Sequence, residues 1–376
     1  MASRILSIGT AVPPTRVPQE RIRDFFAAQP GTDRLTGRLI HAAFDAASIE
    51  HRHTVLTQLG DPDASPAGGT ADSPGPSFID GLALQSPSTR ARNDVYTAVA
   101  PRLSADAARS ALQDARMPAS AITHVVTVSC TGFFAPGPDY RLVRDLGLSP
   151  DVERYHLGFI GCAAALPALR LATRITTAQP EAVVLVVCTE VCSLHVRSSS
   201  DPQQIVAASV FADGAAAAVV SADPAWEHLG GLELHRFATT LTSEGEKDMV
   251  WTIGDHGFEM ILSAEVPRII GREIRGAVGA FLAGDPAPDV WAVHPGGRSV
   301  LDRVESGLEL APHAIDASRK VLRDHGNMSS ATILFILRAL LGDREVAAES
   351  RISALAFGPG LTVESALLTK RAPAPA

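Results

Sequence analysis

The chain has 376 residues, 46% of them hydrophobic and 20% charged, with a net charge of −8. That balance suits a large folded body, in one two-part unit or several domain-sized ones, and excludes disorder throughout. The acidic surplus argues against non-specific nucleic-acid binding, yet a local arginine patch would still hold an anionic small substrate.

The first residues, "MASRILSIGTAVPPTRVP", carry Arg4 and reach Pro13-Pro14 with no long apolar core, which makes a poor signal peptide. No apolar run approaches the roughly 20 residues of a membrane span, so a soluble, cytoplasmic protein is expected. "RILSIGTAV" reads as the first buried strand. Residues 59–88 are rich in Pro, Gly, Ser and Asp and read as an exposed, mobile insertion. A helix over "YTAVAPRLSADAARSALQDA" follows, then strands over "HVVTVSC", "AVVLVVCTEV" and "AAAAVVS", with a helix over "ALPALRLATRITT" between the first two. Beyond a natural midpoint near 221–231 come a helix over "VPRIIGREIRGAVGAFLA", a strand over "VWAVH", a helix over "SSATILFILRALLG" and a strand over "ISALAFG". Strands alternating with helices predict an α/β fold with largely parallel sheets. Both halves, 1–225 and 226–376, end in a strand with small residues, which is compatible with a duplicated fold. The tail "KRAPAPA" reads as disordered.

Four cysteines, Cys130, Cys162, Cys188 and Cys192, are too few and too irregular for a disulfide scaffold. "CTEVCSLH" groups Cys188, Cys192 and His195, but no second CxxC-like pair exists, so packing is expected there and no metal is assigned.

Four stretches carry chemistry. In "GFIGCAAALPALRLA" a glycine turn precedes Cys162 and a helix follows. A helix start lowers a thiol's pKa, so a nucleophile and a buried core cysteine both fit this local pattern. Pro167 lies near the helix start and leaves room for a kink. In "VWAVHPGGRSV", His294 ends a buried strand before Pro295-Gly296-Gly297, where a substrate chain can approach the backbone closely. A satisfied strand-end histidine is the plainer reading. In "HGNMSSATILFIL", Asn327 or a nearby serine suits an N-cap, and an asparagine there can also donate to a developing oxyanion. "ALAFGPGLTVESALL" runs a strand into a Gly358-Pro359-Gly360 turn.

Taken in order, these stretches resemble the type III polyketide synthases, the chalcone synthase-like enzymes, over nearly the whole chain. "CTGFFAPGPDYRLVRDLGL", "SPSTRARNDVY" and "VFADGAAAAVV" support the resemblance. It implies a thiolase-like αβαβα layered fold from two related halves, a homodimer, acyl-CoA and malonyl-CoA as substrates, and no metal or redox cofactor. It also implies roles. Cys162 carries the growing acyl chain as a thioester. His294 activates Cys162 and joins Asn327 at the malonyl thioester carbonyl. Phe211 gates the CoA tunnel, with the second gate on Met260, or on Phe258 if the register slips. Cys130, His195, Cys192 and Phe357 line the cavity, and Gly296, Gly297 and Ser329 are also expected to bind substrate.

The chain departs from the plant members in its 59–88 insertion and in "WTIGDHGFEM", which resemble a microbial branch. Ala42 and Ala46 fall on two positions of the plant CoA-binding basic cluster, and Arg38 lies near the third. CoA contacts are therefore expected partly from elsewhere. Ala135 and Met260 replace bulkier residues and suggest room for an aliphatic starter, giving an alkylpyrone or an alkylresorcinol. Two other readings share this pattern: an initiating β-ketoacyl-acyl carrier protein synthase, which condenses once, and a catalytically silent binding protein of the same fold.

Overall fold

A computed structural model describes residues 2–69 and 75–374. Its principal strands are β1 (Arg4–Ala11), β2 (His124–Ser129), β3 (Glu153–Gly158), β4 (Val183–Val191), β5 (Asp213–Ser221), β6 (Gly231–Leu241), β7 (Met249–Gly254), β8 (Gly257–Leu262), β9 (Val290–Val293), β10 (Arg351–Gly358) and β11 (Thr362–Arg371). The helices that matter below are α1 (Arg34–Ala46), α2 (Thr89–Asp114), α3 (Ala165–Ala178), α4 (Pro202–Val210), α5 (Val266–Leu282), α6 (Arg298–Gly307), α7 (Asp316–His325) and α8 (Thr332–Gly342).

Nine of the strands form one sheet in the order β9-β10-β11-β6-β1-β5-β4-β2-β3. Its two wings repeat a single plan. In the N-terminal wing β1 pairs antiparallel with β5, β5 antiparallel with β4, and β4 parallel with β2. In the C-terminal wing β6 pairs antiparallel with β11, β11 antiparallel with β10, and β10 parallel with β9. The wings meet where β1 and β6 share only the pairs Arg4↔Glu233 and Ile5↔Leu232. This is the thiolase-like arrangement expected of two related halves.

The expectation of largely parallel sheets is corrected. Only β9–β10, β4–β2 and β2–β3 are parallel, and the other five neighbouring pairs are antiparallel. Continuous apolar runs such as Val183–Cys188 reflect burial on both faces, not strand direction. Helices α3 and α8 supply that cover. Ala165, Leu166, Leu169 and Ala172 of α3 and Ile333, Leu334, Ile336 and Leu337 of α8 share one core cluster with both wings, so these helices form the central layer. Alanines on α3 let it lie close to the sheets, while each buried Leu or Ile contributes about 1.5–3 kcal/mol. Outer layers are α2 on the N-terminal wing and α5 and α6 on the C-terminal wing.

Other expectations shift. The 59–88 insertion is not simply exposed: Leu59, Phe78 and Ile79 are buried against the α2 and α4 side of the molecule. Residues 70–74 of that insertion lie outside the described residues. Lys370 and Arg371 end strand β11, and Ala374 N–H donates to His228 O at 3.0 Å, so most of the tail is ordered. Pro375 and Ala376 lie outside the described residues. No helix among the described residues is long and apolar enough to cross a membrane.

Candidate active site

Cys162 sits in the turn that leads into α3. Gly161 before it has φ of +86°, and an added Cβ would lie 2.2 Å from Cδ of Pro359. Both the backbone and the contact demand glycine. The Gly161-Cys162 turn and the Gly358-Pro359-Gly360 turn are thus one packed unit. The second left-handed residue here is Phe159, at φ 58°, rather than Gly158. Pro167 is the third residue of α3, where its missing N–H is one that lacks an intrahelical acceptor anyway, so it introduces no break.

His294 follows β9, its N–H donating to Leu355 O at 2.8 Å, and its ring is fully buried. Neither Nδ1 nor Nε2 has a hydrogen-bond partner among the described residues. The satisfied strand-end histidine is therefore not what the fold contains. Buried polar atoms are rarely left so, because each costs about 1–3 kcal/mol.

Asn327 is not an N-cap. A short 3₁₀ turn over Ser329–Ala331 precedes α8, whose cap position is Ala331. Its backbone is instead stitched to the α4 end: Asn327 N–H donates to Val210 O at 2.9 Å, and Ala212 N–H donates to Asn327 O at 2.8 Å. Oδ1 accepts from Ser329 N–H at 2.9 Å, which fixes the amide's orientation. Nδ2 reaches only Gly296 O, at 3.5 Å, too long to occupy a good donor.

Cys162, His294 and Asn327 line one cavity of about 500 Å³. Burial pushes the Cys162 thiol up to about 11, outweighing the nearby Ser329 and Asn327 side chains, which favour thiolate. Burial also pushes the His294 imidazole down to about 3. The resting pair is therefore neutral at pH 7. This corrects the expectation that the helix start favours thiolate: desolvation of the charge outweighs the local donors. Cys162 gains its nucleophile form only by passing its proton to a base, and His294 is the neutral base in the same cavity.

A second, inner pocket of about 60 Å³ lies beyond the first. Cys162, Phe211, Met249 and Met260 line both spaces and so stand between them. Phe211 caps α4 and pairs with Asn327 in an isolated bridge. Phe258, on the same face of β8 as Met260, lies deeper and stacks on His195 with ring centroids 4.1 Å apart. Its N–H donates to His195 Nδ1 at 3.0 Å, while His195 Nε2 meets Thr131 O at 2.8 Å. Cys130, Cys192, His195 and Ser329 line the inner pocket, and Phe357, Gly296 and Gly297 the outer cavity. Gly161 N–H donates to Cys130 Sγ at 3.1 Å. Cys188 lies apart, in the central core.

Two expected residues lie elsewhere. Arg38 is exposed on α1 and is not among the lining residues of either space. Ala135 is exposed in the single chain and absent from both linings.

Three groups escaped the sequence reading. Met249 and Trp251 alternate onto the pocket face of β7, and Trp251 Nε1–H donates to Cys130 O at 2.8 Å. The period-two spacing in "MVWTIG" was the available signal. Glu190 is a carboxylate inside an otherwise apolar strand. It accepts from Cys130 N–H at 3.0 Å and Thr131 Oγ1–H at 2.9 Å, and from Ser330 Oγ–H, tying the loop after β2 to the turn before α8. Burial holds its pKa up at about 7. Arg268, Arg298 and Arg303 rim the outer cavity.

Comparison with known proteins agrees with this architecture. Residues 79–224 match the N-terminal domain model of chalcone and stilbene synthases, and residues 233–371 match the C-terminal domain model. The bisdemethoxycurcumin synthase of Oryza sativa subsp. japonica is 33% identical, over 97% of this chain and 91% of its own length. A probable polyketide synthase 1 of Dictyostelium discoideum is 31% identical over 97% of this chain, which spans only 11% of that larger protein. Among solved structures, the C-terminal type III polyketide synthase domain of Steely1 from Dictyostelium superposes with a TM-score of 0.85 at 29% identity, over 99% of this chain and all of that domain. PKS-I from the brown alga Ectocarpus siliculosus gives 0.88 at 27% identity, over 98% of each chain. With two domain models matched in order and the thiolase-like sheet in place, the chain belongs to the chalcone and stilbene synthase family of type III polyketide synthases, acyltransferases that condense by decarboxylation.

Proposed function

We propose that Cys162, His294 and Asn327 perform the condensation, with acyl-CoA and malonyl-CoA as substrates. The carrying observation is that a buried thiol, an unpartnered imidazole and a fixed amide line one cavity. His294 takes the Cys162 proton as Sγ attacks the starter thioester, and CoA leaves as its thiol with a proton returned. Malonyl-CoA then occupies the cavity, and its C–CO2 bond breaks. The electron pair becomes an enolate, whose oxygen meets Asn327 Nδ2–H and His294 Nε2–H. The enolate carbon attacks the Cys162 thioester, forming the new C–C bond and releasing the thiolate. The electrons for that bond come from the departing carboxylate, so the reading needs no metal or redox cofactor.

An aliphatic starter giving an alkylpyrone or alkylresorcinol is the product reading. Met249 and Met260, flexible thioethers between the two spaces, support it. Purified protein with malonyl-CoA and a panel of starter-CoAs, read by mass spectrometry, tests this. Consumption of aliphatic starters with more than one malonyl extension is expected. Turnover of aromatic starters or malonyl-CoA alone refutes the starter reading, and a single extension refutes the polyketide reading.

A homodimer in the cytosol, where CoA thioesters are formed, completes the proposal. Strand β3 is a free sheet edge, and Tyr155, Ile160, Phe133 and Tyr140 near it are 37–39% exposed. A second copy is the occupant that such an apolar edge fits.

A further inference from the structure

The cations that line the outer cavity are unevenly distributed. Ala43 and Ala46 of α1, with Ala47 after it, bring no cation. Arg268 lies in the first turn of α5, and Arg298 and Arg303 lie on α6. The α6 N-terminus itself lines the cavity through Gly297, Arg298 and Ser299, and no side chain caps it. Unpaired N–H groups and the positive end of a ten-residue helix dipole thus face the same space as the arginines.

The charges at this mouth are available to a ligand. Among the described residues Asp302 is the only carboxylate in the lining, and it pairs with Arg319 at 2.8 Å as well as with Arg298 at 3.4 Å. Glu305 is also taken by Arg319. Arg303 is left with no ion pair among the described residues, its stem laid against Gly271 of α5, where an added Cβ would come within 3.3 Å of Cδ. Arg268 pairs with the nearby Glu265, an exposed contact that a stronger anion can displace.

Resting on the reading of this cavity as the thioester channel, we infer that Arg268, Arg298 and Arg303, with the α6 N-terminus, grip the phosphates of CoA. Recognition has thereby moved from the α1 wall to the wall of the C-terminal half. Arginine's planar donor fork matches phosphate oxygens, and a diphosphate plus a ribose phosphate match three guanidinium groups better than one phosphodiester does. A phosphopantetheine arm on a carrier protein shares part of this chemistry, and the experiment separates the two sources.

The test uses the full-length enzyme and its Arg268→Ala, Arg298→Ala and Arg303→Ala variants, single and combined. Each is assayed with malonyl-CoA, with malonyl-N-acetylcysteamine, which lacks every phosphate, and with a malonyl carrier protein. The expected result is a rise in KM for malonyl-CoA of about fivefold to tenfold per arginine, with kcat within about twofold. KM for the N-acetylcysteamine thioester stays level, Arg298→Lys recovers part of the loss, and the wild-type KM for malonyl-CoA rises with salt. Arg275→Ala, a control on the outer face of α5 paired with Glu309, leaves both KM values level. An unchanged KM for malonyl-CoA in the triple variant overturns the inference, as does an equal rise for both small thioesters. A loss confined to the carrier-protein substrate also overturns it, assigning the arginines to a protein partner instead. If the wild-type enzyme turns over none of the three, the channel reading itself fails and takes this inference with it.

Discussion

Replacing Asn327 separates its two bonds. Oδ1 holds Ser329 N–H at 2.9 Å, and Ser329 lines the same pocket as Cys162, while Nδ2 has only a 3.5 Å contact to Gly296 O. Asn327→Ala removes both functions, whereas Asn327→Asp keeps the acceptor for Ser329 and, once ionised, offers no donor. Losing one oxyanion donor costs about 10²–10³ in rate, or about 2.7–4 kcal/mol. Losing the Ser329 bond costs about 1 kcal/mol, about fivefold, and falls on the thiol. Decarboxylation of malonyl-CoA is measured in a Cys162→Ala background, where no condensation follows, and starter loading by intact-protein mass spectrometry with Cys162 present. Both variants are expected to lose decarboxylation by about 10²–10³. Loading falls about fivefold in Asn327→Ala and less in Asn327→Asp. Decarboxylation within about threefold of the parent, with loading abolished, refutes the oxyanion role, since the donor's magnitude would be missing where the reading puts it.

Iodoacetamide is expected to label Cys162 before Cys130, Cys188 and Cys192, because burial raises those three thiols further; peptide mass spectrometry over time reads the order, and prior labelling of another cysteine contradicts it. Gly161→Ala forces a Cβ onto Pro359 at a left-handed backbone, costing about 1–2 kcal/mol for the backbone alone. Pro359→Ala in the same chain should recover stability lost to the contact, seen as a positive coupling in urea midpoints. Glu190 titrates at about 7 in the fold against an unfolded value near 4.5, so the unfolded chain ionises first and stability is lost as pH rises between those values. Glu190→Gln should remove that fall, worth up to about 3 kcal/mol, in guanidinium midpoints compared at pH 5 and pH 8. If the Glu190→Gln and wild-type midpoints keep a constant difference between those pH values, Glu190 is not the group responsible. Tyr155→Asp with Ile160→Lys should lower the mass seen by analytical ultracentrifugation from two copies to one; an unchanged dimer places the interface away from β3.

Much of this molecule was legible in one dimension. Apolar runs bounded by turns located six strands of the large sheet, since burial on both faces demands continuous Val, Ile and Ala. Strand β3 and the pair β6 and β11 were not read, because β3 is an exposed edge and the others mix polar and apolar residues. The same local view misjudged direction, which depends on how distant strands pair and not on what they contain.

The sequence by itself determined the chemistry on offer: a cysteine before a helix, a histidine after a strand, an asparagine before a second helix, and the glycines that let these turns form. Local backbone preference and residue type carry that information. Only the tertiary structure decided that the three groups share a cavity, that burial leaves Cys162 and His294 neutral, and that the mouth cations stand on α5 and α6 instead of α1. Each of those depends on desolvation or on residues brought together from distant parts of the chain, and none is a property of a short stretch.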